Sequence, residues 1–142
     1  MPYSPIIWDD SLSVGDKNID MDHKMILELI DRVNKIDVAC RATLSQYLCD
    51  LADYSNMHLT REEWLMTQYH YPRREEHIRE HWEFINEIAI LINAFERCHL
   101  DVFDRYKEML NVWLYKHITT EDKQFGDFLK ENYGDRCNWF PS

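Results

Sequence analysis

Two pairs of side chains with metal-binding chemistry repeat at one interval. His58 and Glu62 stand four residues apart, and so do His77 and His81. On an α-helix that interval puts both members of a pair on one face, one turn apart. Neutral imidazole nitrogens and carboxylate oxygens are donors to iron, manganese or zinc, so either pair has the chemistry to grip an ion. His23 and His117 bring the same chemistry from other segments. Taken singly, each has a plainer reading, because a lone core histidine is ordinarily a hydrogen-bonded packing residue.

The segments around these residues decide between the readings. Apolar residues recur at steps of three and four, the period of an amphipathic helix. The spacing predicts a first helix over about 20–38, with Ile19, Ile26, Leu27, Ile30 and Val33 turned inward. A second is predicted over about 43–68, on the seam Leu44, Leu48, Leu51, Ser55, His58, Glu62, Leu65 and Tyr69, and Pro72 closes it. A third covers about 74–97, on His77, His81, Phe84, Ile88, Leu91 and Phe95. A fourth runs from about 101 to beyond Asp122 and carries Phe103, Tyr106, Leu110, Trp113 and His117, with Gly126 expected to interrupt it. Residues 1–18, which include Pro2, Pro5 and Gly15, form a nonhelical N-terminal arm, and residues 134–142 form a tail. Four such helices with short connections make an all-α, antiparallel up-down-up-down four-helix bundle in one domain over residues 1–142.

In that bundle His58, Glu62, His77, His81 and His117 fall on core positions, and His23 lies one turn before Leu27 on the inward face. Burying one unpaired ionisable group costs on the order of several kcal/mol. A domain of this size has a total stability of only about 5–15 kcal/mol. A shared partner is therefore needed, and a metal provides one while tying the helices together. One ion cannot accept all of these groups, so two ions fit better. His70 and His99 fall near predicted loops and read as solvated residues.

A formal net charge of −10 disfavours nucleic acid and anionic membrane surfaces. No run approaches the roughly 18 apolar residues of a spanning helix. The first ten residues lack the cationic and apolar regions of a signal peptide, so a cytoplasmic protein is expected. Cys40, Cys49, Cys98 and Cys137 form no Cys-x-x-Cys pair. Free thiols in a reducing compartment are expected, with a disulfide fastening the Cys137 tail as the alternative.

At these residues the sequence resembles the hemerythrins, in particular the stand-alone bacterial ones. The resemblance runs from Trp8 to about Phe125. It rests on Trp8-Asp9, Val14-Gly15 and Ile19-Asp20 before His23, on His58-Leu-Thr-Arg-Glu62-Glu63 with Met66, on His77-x-x-x-His81 with Phe84, and on Trp113-Leu114-x-x-His117-Ile118 with Asp122. Three positions depart from the family's habits: Asp22 stands where Gln is common, Leu59 where an aromatic is common, and His70 where Gly is usual before Tyr-Pro.

The resemblance implies two iron ions that share a bridging oxo or hydroxo group. It assigns His77, His81 and His117 to one iron and His23 and His58 to the other, with Glu62 and Asp122 bridging both. Asp122 follows His117 by five residues, about 140° around an ideal helix. Spacing alone favours Glu121, at the four-residue step. The resemblance selects Asp122, and a local π-type widening would bring it inward. Counting donors in this way leaves one coordination position open, on the iron with two histidines. Dioxygen is the ligand implied, for storage, transport or sensing, with Ile26, Leu59, Trp113, Leu114 and Ile118 as the apolar lining. A di-iron enzyme acting on peroxide or nitric oxide, and an iron-buffering protein, are the alternatives. Sensing would need a separate protein partner; the tail residues Arg136, Cys137, Trp139 and Phe140 offer a docking segment for one, although a packed or frayed terminus is the favoured reading of that tail.

Overall fold

The computed structural model describes residues 4–134. The tail residues Arg136, Cys137, Trp139 and Phe140 therefore lie outside the described residues, as does Pro2. Helix α1 spans Lys17–Lys35, α2 Arg41–Gln68, α3 Arg74–Glu96 and α4 Leu100–His117. A π-helical turn, Ile118–Asp122, continues α4 without a break into α5, Lys123–Tyr133. The four long helices pack in a ring, α1 on α2, α2 on α3, α3 on α4 and α4 on α1. This is the up-down-up-down bundle. Among the described residues no helix is long and apolar enough to cross a membrane.

The helix ends correct the sequence reading in three places. Helix α1 starts three residues early because Asp16 caps it, accepting from the backbone N–H groups of Asn18 and Ile19 at 2.8 and 2.9 Å. It stops at Lys35 rather than Val38. Asp37 accepts from the Ala39 N–H at 2.8 Å, and this local turn outcompetes another helical turn. Gly126 does not interrupt the last helix. It lies inside α5 because the arm crosses there: a Cβ at this position would stand 2.2 Å from the Val14 carbonyl oxygen.

Helices α2 and α3 both end in the same hydrogen-bonded device, with His70 and Cys98 in the left-handed region at φ 53° and 57°. Tyr71 donates to the Met66 carbonyl at 2.9 Å and His99 to that of Ala94 at 2.8 Å, which closes each helix. The conformation at His70 accounts for a glycine preference there. His70 and His99 are exposed, as expected.

The N-terminal arm is not wholly irregular. Its described residues contain a 3-10 turn, Asp10–Leu12, and lie along the bundle. Lys24 sits 5.0 Å over the Trp8 ring, and Asn111 donates to the Ser4 carbonyl at 2.7 Å.

Apolar packing falls into two separate clusters. The larger includes Ile26, Ile30, Leu44, Leu51, Leu59, Phe84, Leu91, Phe103, Leu114 and Ile118. The smaller holds Val14, Ile19, Leu65, Met66, Tyr71, Phe125 and Leu129. Along every long helix the residues between the two clusters are polar: His23 on α1, His58 and Glu62 on α2, His77 and His81 on α3, and His117 with Asp122 on α4 and its π turn. The bundle thus carries one polar layer sandwiched between two apolar ones.

Candidate metal centre

All seven residues singled out in the sequence lie in that polar layer, and none is more than 2 % exposed. The π turn brings Asp122, and not Glu121, into that layer. Its extra residue rotates Asp122 inward, to 1 % exposure, while Glu121 stays partly exposed with an oxygen 3.7 Å from Arg73.

The donor atoms form two groups that share both carboxylates. Glu62, His77, His81, His117 and Asp122 make one, and His23, His58, Glu62 and Asp122 make the other. Within each group the atoms lie within 4.8 Å of one another. Each carboxylate turns one oxygen toward each group. Glu62 Oε2 lies 3.1 Å from His81 Nε2 and 3.7 Å from His77 Nε2, while its Oε1 lies 3.6 Å from His58 Nε2 and 3.9 Å from His23 Nε2. Asp122 Oδ1 lies 2.9 Å from His77 Nε2 and 3.1 Å from His117 Nε2, while its Oδ2 lies 3.0 Å from His23 Nε2. All five imidazoles present Nε2.

These approaches lack hydrogen-bond alignment. Both oxygens of Glu62 and Asp122 and the Nε2 atoms of His23, His77, His81 and His117 are buried without a hydrogen-bond partner. Buried polar groups rarely stay unsatisfied, and so many in one layer call for a common acceptor of lone pairs. The donor set, imidazole nitrogen and carboxylate oxygen, suits divalent metal ions and lacks a soft thiolate. The residues therefore fit a metal site.

With protons in place of metal, the same layer becomes an ion-pair network. Burial disfavours charged imidazoles, but Asp122 and Glu62 outweigh it. The pKa of His77 is raised to about 9, that of His117 to about 10, and that of His23 is also raised. Burial likewise disfavours the carboxylates. The surrounding histidines nonetheless hold Glu62 and Asp122 well below the usual carboxylate range.

Behind the donors lies an outer layer that the sequence reading did not identify. Asp22 is 2 % exposed and its Oδ2 lies 2.9 Å from His58 Nδ1. Arg61 reaches both Asp22 oxygens at 3.2 Å, and the Tyr54 hydroxyl donates to Oδ1 at 3.1 Å. Burial pushes the Asp22 carboxyl up, but its bond to His58 and the Arg61 charge keep it below the ordinary value. Glu80 stands 3.4 Å from His117 Nδ1, and Glu63 stands 3.9 Å from His81 Nδ1. A signal for Asp22 was present. The steps Ile19, Asp22, Ile26, Leu29 and Val33 are three, four, three and four, so Asp22 sits on the buried stripe of α1.

Of the expected apolar lining, Ile26, Leu59, Leu114 and Ile118 are buried in the larger cluster. Trp113 is only partly buried. It stacks on His117 at 4.7 Å and 13°, and Phe84 stacks on Trp113 at 4.6 Å and 20°. Cys40, Cys49 and Cys98 are exposed free thiols. The expectation for Cys137 lies outside the described residues.

Comparison with known proteins agrees with this layout. The profile of the hemerythrin HHE cation binding domain matches residues 14–129. A bacteriohemerythrin from Stenotrophomonas maltophilia is 30 % identical over 126 residues, covering 88 % of this chain and 82 % of the relative. A bacteriohemerythrin from Pseudomonas aeruginosa is 28 % identical over 131 residues, covering 92 % and 85 %. A myohemerythrin from Riftia pachyptila is 27 % identical over 124 residues, covering 86 % and 92 %. A crystal structure of wild-type hemerythrin superposes with a TM-score of 0.76 at 25 % identity, covering 87 % of this chain and 97 % of that one. The profile spans the polar layer and, apart from Leu12, the buried residues of both apolar clusters, and the chain belongs to the hemerythrin family.

Proposed function

We propose that the polar layer holds two iron ions and binds dioxygen reversibly. His77, His81 and His117 serve one ion and His23 and His58 the other, with Glu62 and Asp122 bridging. The observation that carries this reading is the division of each carboxylate, one oxygen toward each histidine group, combined with the unequal count of three imidazoles and two. Fewer protein donors on the two-histidine side leave a place for a small ligand. A di-iron pair supplies two electrons and a coordination position for dioxygen.

The chain's part is to hold, orient and keep dry. The helices fix the donors before metal arrives, since every donor side chain is buried in a packed layer. Ile26, Leu59, Leu114 and Ile118 belong to the larger apolar cluster on one side of the layer, and the smaller cluster closes the other side, so that water is excluded. Dryness matters because water and protons at such a centre promote irreversible oxidation. We place the protein in the cytoplasm, where exposed thiols such as Cys40, Cys49 and Cys98 stay reduced.

The test is direct. Iron-loaded protein is reduced, exposed to oxygen and then stripped of it, while visible absorption and resonance Raman spectra are recorded. A charge-transfer band that appears with oxygen and vanishes on its removal is expected. Irreversible oxidation without such a band overturns the reading. Catalytic turnover of hydrogen peroxide or nitric oxide would assign the same site to an enzyme.

A further inference from the structure

Among the five histidines of the polar layer, His58 is set apart by what its second nitrogen meets. Its Nδ1 lies 2.9 Å from a carboxylate oxygen of Asp22, a side chain only 3 % exposed. The comparable neighbours of His117 and His81 are Glu80 at 3.4 Å and Glu63 at 3.9 Å, side chains 33 % and 28 % exposed. The Nδ1 atoms of His23 and His77 have no hydrogen-bond partner.

From this contrast we infer that Asp22 is a positioning residue that accepts the Nδ1 proton of His58 and thereby commits Nε2 to the metal, under the control of Arg61 and Tyr54. A carboxylate can only accept, so it keeps the proton on Nδ1 and fixes the tautomer. It also makes the imidazole a stronger donor. Arg61 and Tyr54 draw on the same two oxygens and so limit how hard Asp22 pulls on that proton. Arg61 is 43 % exposed, so this three-residue chain links solvent to the two-histidine group alone. The consequence is selective: the metal at His23 and His58 is held and tuned by Asp22, and the metal at the three-histidine group is not. The inference rests on His58 being a metal ligand, as proposed above, but not on dioxygen as the bound molecule.

Cobalt(II) is the probe, because its binding and its paramagnetically shifted ring N–H resonances report each group separately and need no oxygen. Asp22→Asn is expected to weaken one of two binding steps by tenfold to a hundredfold and leave the other unchanged. It is also expected to move the shifted His58 N–H resonance. In a His58→Ala background, where only the three-histidine step remains, the same substitution should leave that step unchanged, since its effect passes through His58. Arg61→Met, which leaves the carboxylate in place, should move that resonance in the opposite direction. This variant keeps the inference testable if Asp22→Asn does not fold. Unchanged cobalt affinity in a folded Asp22→Asn protein, equal loss at both steps, or a resonance indifferent to Arg61→Met would each overturn it. Absence of cobalt binding in the unmodified protein would instead overturn the metal assignment. Failure of the oxygen test alone leaves this inference standing.

Discussion

The three-histidine group and the two-histidine group share Glu62 and Asp122 but differ in what stands behind their imidazoles. On the three-histidine side the support is aromatic and partly solvated: Trp113 stacks on His117, Phe125 lies 6.3 Å from the His77 ring, and Glu80 reaches His117 from a partly exposed position. On the two-histidine side it is a buried carboxylate with its own charged and hydroxyl partners. One end is held by shape and the other by charge. The two ends should therefore respond differently to the same kinds of change.

The largest effect should come from what both ends share. Glu62→Ala or Asp122→Ala removes a donor oxygen from each group at once. Iron content per chain, measured after reconstitution, should fall for both groups together. Loss of only one ion would mean that the carboxylate serves a single group. His58→Ala should act on one end only. It should remove the ion of the two-histidine group, roughly halving the iron content, and leave the other ion bound. Unchanged iron and unchanged spectra would refute His58 as a donor.

Protonation gives a test of the metal-free protein. The folded-state pKa values of His77 and His117, about 9 and about 10, lie above their ordinary 6.5. A raised pKa stabilises the folded state fully below about 6.5, and the contribution is lost as pH climbs through 9 to 10. Glu62 and Asp122 are lowered, so their contribution is present above the ordinary carboxylate pKa and is lost in stronger acid. The melting temperature of metal-free protein should thus hold to about pH 6.5 and then decline steadily toward pH 10. Metal-loaded protein should lack this alkaline decline, because the ions replace those protons. A flat profile for the metal-free form would deny the ion-pair network.

How much of this was legible in the sequence follows from what period carries. Apolar steps of three and four placed four helices and set six of the seven polar donors on inward faces. The same arithmetic fails at Asp122, because a single inserted residue in the π turn changes the phase and only then points Asp122 inward. Asp22 was overlooked for another reason. It lies on the stripe of α1, yet an aspartate beside a histidine reads as a solvated charge until Tyr54 and Arg61, 32 and 39 residues away in sequence, are seen to converge on it. Gly126 read as a helix breaker because sequence shows the missing side chain but not the Val14 carbonyl that takes its place.

The smallest effect should be that of Glu80→Gln. Glu80 resembles Asp22 in offering a carboxylate to the Nδ1 of a donor histidine, and its bond to His117 keeps its own pKa below the ordinary value. It differs in distance, 3.4 Å against 2.9 Å, and in being one-third exposed, where water screens its charge and can replace it. Exposed pairs of this kind contribute within about 1 kcal/mol. The His117 ring also remains clamped between Trp113 and its neighbours when Glu80 is changed. Cobalt affinity of the three-histidine group in Glu80→Gln should therefore change by less than about fivefold, the factor equivalent to 1 kcal/mol. It should fall well short of the loss from Asp22→Asn at the other end. Equal losses from the two substitutions would show that burial does not separate these carboxylates, and the distinction between an end held by shape and an end held by charge would fail with it.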